Sequence, residues 1–536
     1  INQLEKKDGT GDSSDTRSMK ERFSGAVVMG DSIAASFTEY DVLNTSSVVA
    51  KIGIHFSELD DQIEQAKQLD PQIVFLAYGM NDVTKTNGDV DKFIKDYSDV
   101  IKKIQKAIKE TGGVVTIVEP NPYMTYQPFL PEVAAGSMEG RNATVPLRQH
   151  LRDTELIPGR VVSIDHANRT AVVEPTDNGE PFELKYDEIV LGAGAVTRAF
   201  PIPGLAEVAI GLKTIEEAVS VRNWVLDRIE VASMLSDAEA RRRALTFVVV
   251  GGGFAGVETI SELEDMARVA VERNERLSVS DLHFVMVEAA PRIMPEVPAD
   301  RAEKVVAELR ARGIEILLNT SLSDATDGNL QLINMADKSP AGEIKTDTLI
   351  WTAGVAASPM LKNTDFPIDE RGRVRVGADL RVTGDDGVVE GAWAAGDNAA
   401  VPDLSGGGVG GFCVPNAQHA SRQAVVLAKN LLAARRGEPL TDYYHETIGV
   451  VAGLGLWKGV ANFKGKTIGG PLAWIMHRGY HGSAIPTTER TVRVMTTWAL
   501  NQIFGRDTSS IRHQRSPRLA FQEATGTAPA RQKAKL

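Results

Sequence analysis

Two rhythms of apolar residues alternate along the chain. Short continuous apolar runs read as strands buried on both faces, and longer stretches with apolar residues three and four apart read as helices. The runs fall at Ala26–Met29, Ile73–Ala77, Val114–Val118, Gly159–Ile164, Thr170–Glu174, Glu188–Leu191, Thr246–Val250, Phe284–Val287, Ile314–Leu318 and Thr348–Trp351. Helical spacing covers Glu58–Gln68, Val90–Lys109, Thr214–Asp227, Gly256–Asn274, Arg301–Arg312 and Asn416–Ala434. This alternation predicts an α/β chain with parallel, doubly wound sheets. Residues 1–22 are polar and read as a flexible leader. The apolar stretch nearest in character to a membrane span, Ile448 to Trp457, is short and rich in glycine.

The chain has 536 residues, 43% hydrophobic and 24% charged, which is enough for several ordinary globular domains. Its net charge of −12 removes the basic field that a nucleic-acid partner requires. One cysteine, Cys413, excludes an internal disulfide, and no thiolate metal cluster can form within one chain; no metal site is expected. The basic residues change identity along the chain, with 12 Lys and 2 Arg through residue 113 but 12 Lys and 33 Arg after it. A solvated surface accepts either residue, so the switch marks two segments of different compositional history. They join near Thr111-Gly112-Gly113.

The clearest chemical signal follows Thr246–Val250. Gly251-Gly252-Gly253-Phe254-Ala255-Gly256 is G-x-G-x-x-G between a strand and a helix. Gly251 permits the tight turn, Gly253 lets the backbone approach a pyrophosphate, and Gly256 lets helix and strand pack closely. The helix N-terminus adds free N–H groups and partial positive charge. Glu288 ends the next strand, where a carboxylate accepts both ribose hydroxyls of an adenosine and repels a 2′-phosphate. That favours NADH over NADPH. The 32 residues from Gly256 to Glu288 require an extended helix or an added loop.

Residues from about 114 to 505 resemble the type II NADH dehydrogenases, the non-pumping NADH:quinone oxidoreductases. The resemblance rests on Val118-Glu119-Pro120-Asn121-Pro122-Tyr123 with Pro128-Phe129-Leu130, on Leu191-Gly192-Ala193-Gly194, and on the glycine loop. Trp351-Thr352-Ala353-Gly354, Ala394-Ala395-Gly396-Asp397 and Ala417-Gln418-His419-Ala420 complete it. It implies an FAD-binding domain from 114–240 and 360–440, an NADH-binding domain at 241–359, and a C-terminal region at 441–536. It places Glu119, Gly194, Gly396 and Asp397 at FAD, and Gly251, Gly253, Gly256, Glu288 and Gly354 at NADH. Gln418 lies beside the flavin at the quinone mouth. Glu258 follows the glycine loop and either assists proton transfer or stabilises the helix N-terminus. Read from its residues alone, Asp397 is equally a helix N-cap. The implied reaction passes hydride from NADH to the flavin and then reduces a membrane quinone, the flavin supplying the chemistry.

One motif of that family has no counterpart. A strand–G-x-G-x-x-G–helix unit should precede Glu119, but no such glycine loop occurs before residue 190 and Ile94–Gly113 reads as a Lys-rich helix. The fold expectation is therefore two Rossmann-like domains with the first βα unit replaced, preceded by a flavodoxin-like segment at 23–113. That segment carries Gly30-Asp31-Ser32, then Gly53, then Gly79-Met80-Asn81-Asp82, and resembles SGNH/GDSL esterases over residues 23–112. The resemblance implies Ser32 as nucleophile, with Gly53 and Asn81 in an oxyanion hole. The family's Asp-x-x-His has one match, Asp442 to His445, far downstream, so the triad is incomplete. A serine esterase and a non-catalytic dinucleotide-binding module stand as the alternatives to the oxidoreductase.

Near the end, Val492, Met495, Ala499 and Ile503 recur at helical spacing beside Trp498 and Phe504, with Arg490, Arg493 and Arg506 around them. A basic tail follows. The pattern reads as an amphipathic helix lying on anionic lipid, or as a core-facing helix or homodimer contact. With the resemblance, it places the protein peripherally on the cytoplasmic face of the bacterial inner membrane.

Overall fold

A computed structural model describes residues 26–30, 48–50, 73–77 and 114–525, with breaks at 152–153, 296, 407, 409, 447–448, 464–465 and 512–517. The chain divides into two units, residues 1–93 and 94–536. In the first, β1 (Ala26–Gly30), β2 (Val48–Ala50) and β3 (Ile73–Ala77) form a parallel sheet in the order β2-β1-β3. Val28 stands opposite Val48 and Phe75. The leader, Ser32, Gly53, Asn81 and the helical stretches at 58–68 and 90–109 lie outside the described residues.

The second unit opens with β4 (Thr116–Val118). The antiparallel pair β5 (Tyr123–Thr125) and β6 (Thr144–Pro146) brackets α1 (Leu130–Ala134), and β7 (Glu155–Ile157) then pairs in parallel with β4. An antiparallel sheet of β8 (Gly159–Asp165), β9 (Thr170–Pro175) and β10 (Phe182–Lys185) follows. The chain returns through β11 (Ile189–Leu191) and β12 (Ala195–Thr197). After β13 (Ala209–Gly211), α2 (Ile215–Met234) begins on a capping box. Thr214 Oγ1 accepts from Glu217 N at 3.2 Å, and Glu217 Oε2 accepts from Thr214 N at 3.0 Å.

The order then repeats. β14 (Thr246–Val250) leads into α3 (Phe254–Glu272). β15 (His283–Val287), α4 (Ala299–Ala311) and β16 (Ile314–Leu317) precede an antiparallel sheet of β17 (Thr320–Asp324), β18 (Asn329–Asn334) and β19 (Pro340–Lys345). β20 (Thr348–Trp351) and β21 (Val355–Ala357) follow. Five strands form a parallel sheet in the order β13-β20-β14-β15-β16. β14 lies at its centre and every residue in it is buried, which is why its sequence shows no polar alternation. β12 and β21 pair antiparallel and link the two halves.

β22 (Val374–Arg375), β23 (Arg381–Gly384), β24 (Gly387–Ala394) and β25 (Ala399–Ala400) return to the first half, where β24 pairs in parallel with β11. α5 (Ala417–Arg435) is followed by the meander β26 (Gly449–Gly453), β27 (Gly459–Phe463) and β28 (Lys466–Gly469), then α6 (Gly470–Ala484) and α7 (Thr488–Phe504). One core joins β14 and α3 to α1, α2 and α7. A second lies beneath β24 and α5, and a third covers the other face of the β14 sheet.

Candidate active site

The glycine loop is built as its sequence requires. Gly251 has φ +111°, and a Cβ there would meet the Thr352 backbone at 2.8 Å. A Cβ on Gly256 would lie 1.8 Å from Gly251 O, closer than any side chain tolerates. Gly253, by contrast, faces open space, the surface a phosphate needs. Glu288 follows β15 directly. Its Oε2 accepts from Gly252 N, and its Oε1 accepts from Ala290 N at 2.7 Å. Gly354 lies beyond β20 with φ +89° and open space on its Cβ side. The long spacing to Glu288 is filled both ways, by a long α3 and by a one-turn 3₁₀ helix at Val279–Asp281.

In the first half, Glu119 follows β4 as Glu288 follows β15. Its Oε1 accepts from Asn121 N at 3.0 Å; burial pushes its carboxyl up, and that hydrogen bond partly opposes the shift. Gly194 N donates to Asn398 Oδ1 at 3.1 Å, and Gly396 N donates to Gln423 Oε1 at 2.8 Å. Asp397 lies 3.7 Å from Lys213 Nζ, in a one-turn 3₁₀ helix. The cap of α5 is Asn416, whose Oδ1 accepts from His419 N at 2.7 Å, so Asp397 does not cap that helix. Gln418 Nε2 donates to Tyr480 Oη at 3.4 Å. None of these groups is a strand-to-helix glycine loop of the kind that receives a pyrophosphate. Among the described residues β4 and β11 belong to separate sheets, and no strand followed by a glycine loop and a helix pairs with either of them. The described residues do not form a complete FAD cradle.

Glu258 does not serve the helix terminus. Its Oε1 accepts from Gly453 N at 2.9 Å and shares a hydrogen bond with His477 Nε2 at 3.0 Å. Burial pushes the Glu258 carboxyl up to about 8 and the His477 imidazole down to about 3, so both groups are neutral at neutral pH. Folding therefore holds a proton on Glu258, and stability falls as pH rises from about 4.5 through about 8. Glu258→Gln keeps the acceptor and removes the titration. Its Tm is expected to match the parent at about pH 5 and exceed it at about pH 9. An equal or lower Tm at the higher pH contradicts this assignment.

Sequence reasoning missed the buried charges beside this pair. Arg478 pairs with Glu132, and with Glu262 at 3.5 Å; Arg506 pairs with Glu262 at 2.7 Å and with Asp265 at 3.4 Å. Their signal was local. Glu258, Glu262 and Asp265 stand at i, i+4 and i+7 on α3, where the inward face should be apolar. The same network corrects two readings of the C-terminal helix. Arg506 is buried among these acids rather than facing lipid, and Trp498 packs inward on Phe129 with ring centres 5.7 Å apart. Val492, Met495, Ile503 and Phe504 remain exposed. No described helix is long and apolar enough to cross a membrane.

The pyridine nucleotide-disulphide oxidoreductase family model matches residues 102–424. The chain belongs to that family. Its single cysteine excludes an intrachain redox disulfide, and burial pushes the Cys413 thiol up to about 11. The chain is 29% identical to a probable NADH dehydrogenase of Dictyostelium discoideum, over 74% of this chain and 86% of that one. It is 27% identical to a type II NADH:quinone oxidoreductase of Mycobacterium tuberculosis, over 74% of this chain and 84% of that one. The solved structure of NDH2 from Plasmodium falciparum in complex with NADH shares the fold, with a TM-score of 0.68 at 16% identity over 74% of this chain and 95% of that one.

Proposed function

We propose that this chain is a type II NADH:quinone oxidoreductase whose pyridine-nucleotide site is the loop between β14 and α3. The carrying observation is the pairing of Gly256, which has no room for a side chain, with Gly253, which faces open space. This backbone is shaped to receive a pyrophosphate. The Gly253 amide and the α3 N-terminus supply donors and partial positive charge. Glu288, already tied to Gly252 N, keeps lone pairs for the ribose hydroxyls and repels a 2′-phosphate. The relatives named for quinones support the acceptor class. FAD and NADH are the cofactors of type II NADH dehydrogenases. NADH is expected to bind at least about 10-fold more tightly than NADPH, with Glu288→Ala removing the difference. Equal affinities in the parent protein contradict the reading.

Glu258, with its carboxyl protonated, and the neutral His477 form a buried pair linked through the His481 ring to Tyr480, the partner of Gln418, and we assign them a proton-holding role. The exposed apolar residues of α7, with Leu472 and Ile475 of α6, support attachment to a lipid surface on the cytoplasmic side of the bacterial inner membrane, or a homodimer contact.

A second reading concerns the first unit. The parallel order β2-β1-β3 puts Gly30 at the end of a central strand, which supports an SGNH-like segment with Ser32 just beyond it. An aryl-ester assay tests it: Ser32→Ala should abolish hydrolysis, and equal rates dismiss Ser32.

A further inference from the structure

The two α/β halves of the second unit follow one plan. β4 ends at Glu119 and β15 at Glu288; β7 pairs in parallel with β4 as β16 does with β15. Three antiparallel strands follow in each half, β8–β10 and β17–β19. β11 then leads to Gly194 as β20 leads to Gly354, each glycine three residues past its strand, at positive φ and facing open space. The halves close through β12 and β21, which pair with each other. Against this correspondence one unit stands out. In the second half β14, its glycine loop and α3 lie between β20 and β15, and β14 hydrogen-bonds both strands. In the first half, among the described residues, β4 pairs only with β7, and β11 only with β24.

Equivalent side chains register the difference. Ile350, one residue before the end of β20, is fully buried, whereas its counterpart Val190 in β11 is 49% exposed. Met286 and Val287 are fully buried, whereas Ile117 and Val118 in β4 are only partly buried. Apolar residues with β-propensity and unpaired strand edges are the features that recruit another strand.

We propose that β4 and β11, each with one edge unpaired among the described residues, form a docking slot for a parallel β-strand that continues through a G-x-G-x-x-G loop into a helix, and that this chain retains FAD only when that unit is supplied. The occupant is read from the chain's own second half, where the same two neighbours enclose β14, its loop and α3. The inference rests on the NADH-site reading above, because that loop identifies the missing piece.

The test co-expresses the full chain with a separate polypeptide copying Thr246–Glu272. Bound FAD is measured after gel filtration, and hydrogen exchange is measured at the β4 and β11 amides. The chain alone is expected to bind NADH, lose added FAD and exchange these amides rapidly. With the partner, about one FAD per chain should be retained and exchange in both strands should slow at least about 10-fold. A partner carrying Gly253→Val should protect the strands without retaining FAD. Stoichiometric FAD on the chain alone, amides already protected without the partner, or no change on adding it each overturns the proposal. Absence of NADH binding to the chain would instead overturn the functional reading.

Discussion

Gly256→Ala is expected to weaken NADH binding by at least about 100-fold, from the loss of one or two charge-assisted hydrogen bonds worth about 1.5–3 kcal/mol each. The added Cβ would start 1.8 Å from Gly251 O and 2.7 Å from Thr352 Oγ1, so α3 or the loop must move. Alanine's better helix propensity returns about 1 kcal/mol, too little to offset that displacement. Gly253→Ala provides the contrast. Its Cβ meets nothing in the free protein, so the variant should keep the parent's Tm while losing NADH affinity, because the methyl group fills the approach to the pyrophosphate. Calorimetric titration with NADH and thermal melts of both variants check the pair. Parent-like affinity in Gly256→Ala would contradict the placement of the nucleotide on this loop.

Glu262→Ala is expected to cost about 3–5 kcal/mol of stability, the usual effect of removing one partner from a buried ion network. Glu262 holds Arg506 at 2.7 Å, Arg478 at 3.5 Å and Ser137 Oγ at 2.9 Å, and both guanidiniums would remain buried with one acid fewer. The loss also removes one of the ties that hold α6 and the end of α7 to α3. Burial raises the Glu262 carboxyl, but Arg506 and Arg478 more than offset that and hold it below the usual range. Its contribution is therefore present above the ordinary carboxylate value and lost as pH falls through the lowered one. Urea unfolding at neutral pH measures the cost, with Glu315→Ala, exposed on β16, as a control expected within about 0.5 kcal/mol of the parent. A Glu262→Ala midpoint equal to that control contradicts the account.

The nucleotide loop was legible because its constraints are local. Thr246–Val250, three glycines and an adjoining helix specify one another over a few residues, and the strand appears within the sequence-derived limits. β4, β11 and β20 were also legible as apolar runs, but their sheet partners were not. Nothing in Thr116–Val118 or Ile189–Leu191 states which edge is paired, so the division between the β4 and β11 sheets required the structure. The strands β17 to β19 were overlooked because about half their residues are polar and no continuous apolar run marks them. Arg506 was misplaced for a similar reason. Its partner Glu262 lies 244 residues away, and a basic residue after an amphipathic helix is read locally as facing lipid. Glu258 was singled out by its place after the loop, but its pairing with His477, 219 residues on, lay beyond any local pattern.

The central claim is that the second α/β half holds the pyridine nucleotide and the first lacks the unit needed to hold one alone. A crystal structure of the full chain soaked with NADH tests it most directly. The claim predicts pyrophosphate oxygens on the Gly253 amide and the α3 N-terminus and the adenosine ribose on Glu288. NADH seated instead between β4 and β11, with its ribose on Glu119, would contradict it.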